Sequence, residues 1–75
     1  MHNSYEWTFK NNLWVKRLKD RDDVLWVEAD PLPSGKFLYG YSRLGMNGPT
    51  YCDSTFLIDD GKKLALEAWQ KGLKL

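Results

Sequence analysis

The sequence predicts an α+β domain: a small antiparallel β-meander of four or five strands with one C-terminal α-helix packed on one face. Three observations carry that prediction. Tyr5-Glu6-Trp7-Thr8-Phe9-Lys10 alternates aromatic and polar residues, then passes through Asn11-Asn12 into a second apolar run. Val24-Leu25-Trp26-Val27-Glu28-Ala29 is apolar on both sides of its pleat, as a central strand should be. The stretch from Lys62 to Lys71 consists almost wholly of strong helix formers.

Taken in order, the first two strands form a hairpin. Asn tolerates positive φ, so Asn11-Asn12 can turn Tyr5–Lys10 back into Leu13-Trp14-Val15-Lys16-Arg17-Leu18. That register sets Phe9 opposite Trp14, Thr8 opposite Val15, Trp7 opposite Lys16, Glu6 opposite Arg17 and Tyr5 opposite Leu18. One face then carries Tyr5, Trp7, Phe9, Trp14 and Leu18 as core. The other carries Glu6, Thr8, Lys10, Val15 and Arg17 toward solvent.

The charged run Lys19-Asp20-Arg21-Asp22-Asp23 reads as a turn into the central strand. Asp30-Pro31-Leu32-Pro33-Ser34-Gly35 is a loop, because two prolines remove donors and Gly35 allows the return. Lys36–Ser42 alternates again, with Phe37, Tyr39 and Tyr41 on one face, and Gly40 marks a bulge or a close backbone approach. Residues 43–50 read as irregular, with Gly45, Gly48 and Pro49 as breakers. A short strand is placed over Thr55–Ile58, with a start near Tyr51 as the alternative.

The Asp60-Gly61 pair allows a strand return, but the helix reading is preferred. At 100° per residue, Leu64, Ala65, Leu66, Ala68, Trp69 and Leu73 share one arc, with Lys63, Glu67, Gln70, Lys71 and Lys74 opposite. Asp59 or Asp60 is expected to cap its start and Gly72 to end it. Trp69 is expected to anchor it on the sheet.

With 75 residues there is room for a single domain, residues 1–75, with 1–4 expected to lie outside the packed part. A chain of this size buries only about 60% of its unfolded surface, so packing or self-association must supply stability. Four tryptophans, four tyrosines and three phenylalanines are more rings than so small an interior can hide. The formal charge of +1 disfavours a dedicated coater of DNA. A single cysteine rules out an internal disulfide and suggests a reducing compartment. No signal-like start or membrane-length apolar run is visible, and the expected location is the cytoplasm.

Catalytic chemistry finds little support. His2, the lone histidine, adjoins the first residue, and Cys52 has no placed histidine to activate it. Cys52 reads as a small buried residue. Asp20, Asp22 and Asp23 suggest a calcium loop, yet the required glycine and terminal glutamate are missing and Arg21 intrudes, so a solvated turn is preferred. Pro33-Ser34-Gly35-Lys36 lacks the first glycine and following helix of a phosphate loop. The reading is therefore non-enzymatic, with no catalytic residue, metal ligand or cofactor assigned.

What remains is surplus apolar surface. One helix covers one face of a sheet, so the second apolar side of the central strand needs a loop, a twin subunit or a partner. Trp26, Phe37, Tyr39 and Tyr41 are the candidate contact residues for a protein partner. The alternative is an RNA or single-stranded DNA binder, with these rings stacking bases and Lys10, Lys16, Arg17, Lys36 or Arg43 meeting phosphates. A homodimer would also use the face. A regulator or inhibitor of the kind encoded by phages and mobile elements fits the size.

The meander followed by Thr55-Phe56 and then Ala65, Ala68 and Trp69 on a helix resembles in outline the three-strand-plus-helix domains of Apetala-class plant factors and integrase arm-binding domains. The resemblance covers the last third of the chain and implies topology alone. Those families read DNA with basic residues on their strands, whereas the central strand here carries Glu28, so no site residue follows from it.

Overall fold

Alternation along the chain is converted into a simple up-and-down sheet. A computed structural model describes residues 6–18, 23–43 and 51–73. Its strands are β1 (Thr8–Lys10), β2 (Leu13–Arg17), β3 (Val24–Glu28), β4 (Phe37–Ser42) and β5 (Tyr51–Thr55), followed by helix α1 (Ile58–Leu73). The five strands pair antiparallel in sequence order, which puts β3 in the middle. The sheet has two strands more than the three-strand outline noted above. Among the described residues no helix is long and apolar enough to cross a membrane.

The first hairpin forms as its turn chemistry dictates. Asn11 and Asn12 take φ of 54° and 61°, the paired positive values of the turn whose twist matches two antiparallel strands. Phe9 faces Trp14 and Thr8 faces Val15 as expected, but β1 starts at Thr8, so Glu6 and Trp7 lie ahead of the ladder and are not paired with Arg17 and Lys16 in it. The Ala29 N–H donates to the Asn12 carbonyl at 2.9 Å, tying the turn to the end of β3. The loop after β3 is held by the Leu32 N–H on the Lys36 carbonyl, 2.7 Å, and the Gly35 N–H on the Leu32 carbonyl, 2.8 Å.

Pairing sorts the side chains into two faces, because residues directly opposite in a sheet point the same way. Trp14, Val27, Tyr39 and Asp53 share one row, and Lys16, Leu25, Tyr41 and Tyr51 the next. This is the face that α1 covers. Leu25, Val27 and Ala65 have no exposed surface, and Leu18, Tyr39 and Tyr41 complete the buried core. Small residues let the helix settle close: a methyl group on Gly61 would lie 3.1 Å from Cγ1 of Val27. The polar arc is as expected, with Lys63, Glu67, Gln70 and Lys71 exposed.

Four local expectations are corrected. The fifth strand lies at Tyr51–Thr55: it starts at Tyr51, as in the alternative, and ends at Thr55 rather than running to Ile58, since Phe37 pairs with Thr55 and Ile58 is already helical. The helix begins before Lys62, so Asp59 and Asp60 sit in its first turn, favourable to the positive end of the helix dipole, rather than at the cap. The Gly61 N–H donates to the Leu57 carbonyl at 3.0 Å, and Gly72 lies inside the last turn. Phe9 is 52% exposed instead of buried, because β1 is the sheet edge and α1 lies over β3, β4 and β5. Its ring leans on Trp14, centroids 4.9 Å apart, while Lys62 Nζ sits 4.0 Å from the Trp14 centroid.

The fourth correction concerns Asp23, which is 3% exposed rather than part of a solvated turn. Nε1 of Trp69 donates to its Oδ2 at 2.7 Å, and Arg43 Nη1 lies 3.7 Å from the same oxygen. Arg43 Nη2 also donates to the Trp69 carbonyl at 3.0 Å. The end of α1 is thereby bound to the start of β3 and the end of β4. The expectations for residues 1–4 and Tyr5, for the turn with Asp20 and Asp22, for residues 44–50, for the Leu73 side chain and for Lys74 lie outside the described residues.

Replacing Trp69 by Phe keeps the ring and deletes the donor, leaving a buried carboxylate short of a hydrogen bond. Urea unfolding should show a loss of about 1–3 kcal/mol, and Trp69→Phe should cost more than Phe9→Leu at the exposed edge.

Candidate functional site: the open face of the sheet

The second side of the sheet is assembled from the other half of the alternation. Its middle row runs Thr8, Val15, Trp26, Gly40 and Cys52, one residue from each strand. Arg17 and Val24 lie side by side on one flank of this row, two residues along their strands, and Leu13 and Glu28 on the other flank. Leu38 beside Ser54 continues the apolar surface across β4. Leu13, Val15, Val24, Trp26 and Leu38 are each only half-buried, and among the described residues no element packs over them.

Trp26 is the centre of this surface, and Gly40 gives its ring a place to lie. A methyl carbon built on Gly40 would fall 2.7 Å from Cζ2 of Trp26 and would collide with the Tyr51 carbonyl oxygen. The missing side chain is thus filled by the neighbouring indole, and the close backbone approach expected at Gly40 is present. Exposed Lys10 and Arg17 and half-buried Glu28 set charges around the apolar centre.

The sequence-predicted contact residues divide between the two faces. Trp26 is on the open one. Tyr39 and Tyr41, 5% and 6% exposed, lie beneath α1, and half-buried Phe37 is in phase with them. The reason is the register: Val27 pairs with Tyr39 and Leu25 with Tyr41, while Trp26 pairs with Gly40. The expectation of one aromatic patch containing all four is therefore corrected. Leu13, Val15, Val24 and Leu38 take the place of the tyrosines. Their signal in the sequence is the apolar phase that Leu13 and Val15 of β2, Val24 of β3 and Leu38 of β4 share with Trp26, which is visible only once the three strands are aligned.

The cations proposed for phosphate contact are likewise dispersed. Lys10 and Arg17 border the open face, and Lys16 is on the helix face in the row of Leu25. Lys36 Nζ lies 5.1 Å from the Phe56 ring centroid. Arg43 is occupied by Asp23, by the Trp69 carbonyl and by the Tyr41 ring, 5.0 Å away. No common groove gathers these five side chains.

Cys52 is exposed, which corrects its expected burial: it lies on the open side of an edge strand. Partial desolvation raises its thiol pKa above the ordinary value, and the negative charges of Glu28 and Asp53 push in the same direction. The thiol is a poor nucleophile there. Among the described residues no three His, Cys, Asp or Glu side chains gather as a metal site would require.

A second concavity, of about 410 Å³, opens between α1 and the β4–β5 side, lined by Tyr39, Tyr41, Tyr51, Leu64, Glu67 and Lys71. Tyr41 and Tyr51 stack with centroids 5.8 Å apart, and the Tyr51 hydroxyl donates to Asp53 Oδ2 at 3.0 Å. Hydrogen bonding with Tyr39 first, then desolvation and Asp53, raise the Tyr51 hydroxyl pKa well above its usual value. A phenol held protonated in this way is fitted to packing and hydrogen bonding more than to proton transfer. Set against family models, curated proteins and solved structures, the chain matches none.

Gly40→Ala should destabilise the fold by about 1–3 kcal/mol, since a strand carbonyl and a packed indole must both move; thermal or urea unfolding measures this. Iodoacetamide should modify Cys52 more slowly than a free cysteine at pH 8, and Glu28→Gln should speed the reaction by lowering the thiol pKa.

Proposed function

We propose that this chain is a non-enzymatic binding domain that works through protein–protein contact, with Trp26 at the centre of the contact surface. The observation that carries the reading is the division of β3. Leu25 and Val27 are sealed by α1, while Val24 and Trp26, in phase with Leu13, Val15 and Leu38, form a broad apolar surface without a lid among the described residues. A flat apolar centre with a tryptophan and a charged margin has the composition of an interface that excludes water around one anchor.

Two further features support a protein over a nucleic acid. Arg43 is spent inside the fold, and Lys16 is on the opposite face from Arg17, so stacking rings and cations do not line one track. The dispersed acidic and basic residues suit a partner with its own mixed surface.

A protein ligand of the folded chain should lose at least tenfold in affinity on Trp26→Ala, measured by titration calorimetry on variants whose circular dichroism is unchanged. Phe56→Ala, at an exposed ring by the β5–α1 turn, should leave the affinity within twofold. The reverse pattern overturns this choice of surface. A complex with an oligonucleotide that weakens steeply with salt overturns the choice of partner class.

A further inference from the structure

Resting on that reading, we infer that the occupant of the open face is a second copy of this chain, related by a two-fold axis running across the strands along the Thr8–Val15–Trp26–Gly40–Cys52 row. The charges of this face lie on either side of that row. Arg17 sits at one end of β2 and Glu28 at the far end of β3, with the apolar row between them. When two such faces stack, an axis along the row exchanges the two ends. Arg17 of one copy then meets Leu13 of its mate with the mate's Glu28 one strand away, and Glu28 meets Val24 with the mate's Arg17 beside it.

Each ion pair occurs twice, as a closed two-fold interface requires. Lys10 lies beside Leu13, so the axis brings the mate's Lys10 to the outer side of Arg17, at the solvent margin, where screening weakens the repulsion. The other simple choice, an axis parallel to β3, would lay Glu28 on its own copy and leave both Arg17 side chains unpaired. Charge complementarity thus selects the transverse axis.

The middle row suits the same axis, because every residue on it meets itself. Thr8, Val15, Trp26 and Gly40 are uncharged, and the slot over Gly40 lets each indole lie low enough for two sheets to approach. Five strands of about five residues outline roughly 400 Å² per copy. That is about half of what each partner contributes to a standard interface. A patch of that size fits a weak, reversible dimer, and dissociation in the micromolar range is expected.

Cys52 supplies a reporter, being the only cysteine of the chain and lying on the row. Two stacked sheets stand about 10 Å apart, too far for a relaxed disulfide but within reach of a short bis-maleimide.

Sedimentation equilibrium of the whole chain from about 10 to 500 µM should show a monomer–dimer equilibrium, and a short bis-maleimide should join two chains through Cys52. Arg17→Glu and Glu28→Arg should each weaken the dimer at least tenfold, and the two together should restore it to within about threefold of wild type. A strict monomer over this range overturns the inference, as does a dimer indifferent to both reversals. A dimer strengthened by Glu28→Gln and refractory to Cys52 linkage overturns the transverse axis. If the chain is monomeric yet binds a different protein in a Trp26-dependent way, the inference falls and the protein-contact reading stands; if no contact of either kind depends on Trp26, both fall.

Discussion

A strand that is apolar on both faces needs two covers, and the described residues supply one helix. That constraint governs the molecule. The 16-residue α1 is about 24 Å long and about 10 Å wide, enough to roof the middle of one side of a five-stranded sheet. It takes Leu25, Val27, Tyr39 and Tyr41, and the opposite phase of the same strands keeps Trp26 and its neighbours half-exposed. Every feature of the open face follows from which phase the helix took.

What holds the helix to that phase is a mixture of close approach and polar fastening. Gly61 and Ala65 bring the backbone of α1 down on Val27, so the contact is dense along the start of the helix. At its other end the Trp69 indole and carbonyl engage Asp23 and Arg43 from two strands. A buried carboxylate with a directed donor is costly to break and easy to satisfy in one geometry only. The cluster therefore specifies the docking angle as much as it stabilises it. At the free edge, Lys62 over Trp14 and Trp7 shields rings the helix does not reach.

The open face is organised differently. At its centre backbone and indole occupy the space of a side chain at Gly40, and its flanks carry Arg17 and Glu28 toward opposite strand ends. Apolar area supplies the tendency to associate, while the placement of charge decides orientation. The helix-side groove with its stacked tyrosines lacks this openness, since two of its three rings are buried in the core.

Local chemistry was enough to read the meander, the Asn11-Asn12 hairpin with the register next to its turn, the central place of β3 and the amphipathic helix, because each depends on neighbours within a few residues. The site was only half legible. Trp26 was named with Phe37, Tyr39 and Tyr41, yet the strands around it could be slid by one residue without disturbing any local pattern, and such a slip exchanges the faces. That β3 carries more apolar surface than one helix can cover is written in the order of its residues. The tertiary structure alone decided that the tyrosines are roofed and Trp26 is left out, that Asp23 is buried and that Cys52 is exposed, because these rest on cross-strand pairing and on the seat of α1, which join residues as far apart as Asp23 and Trp69.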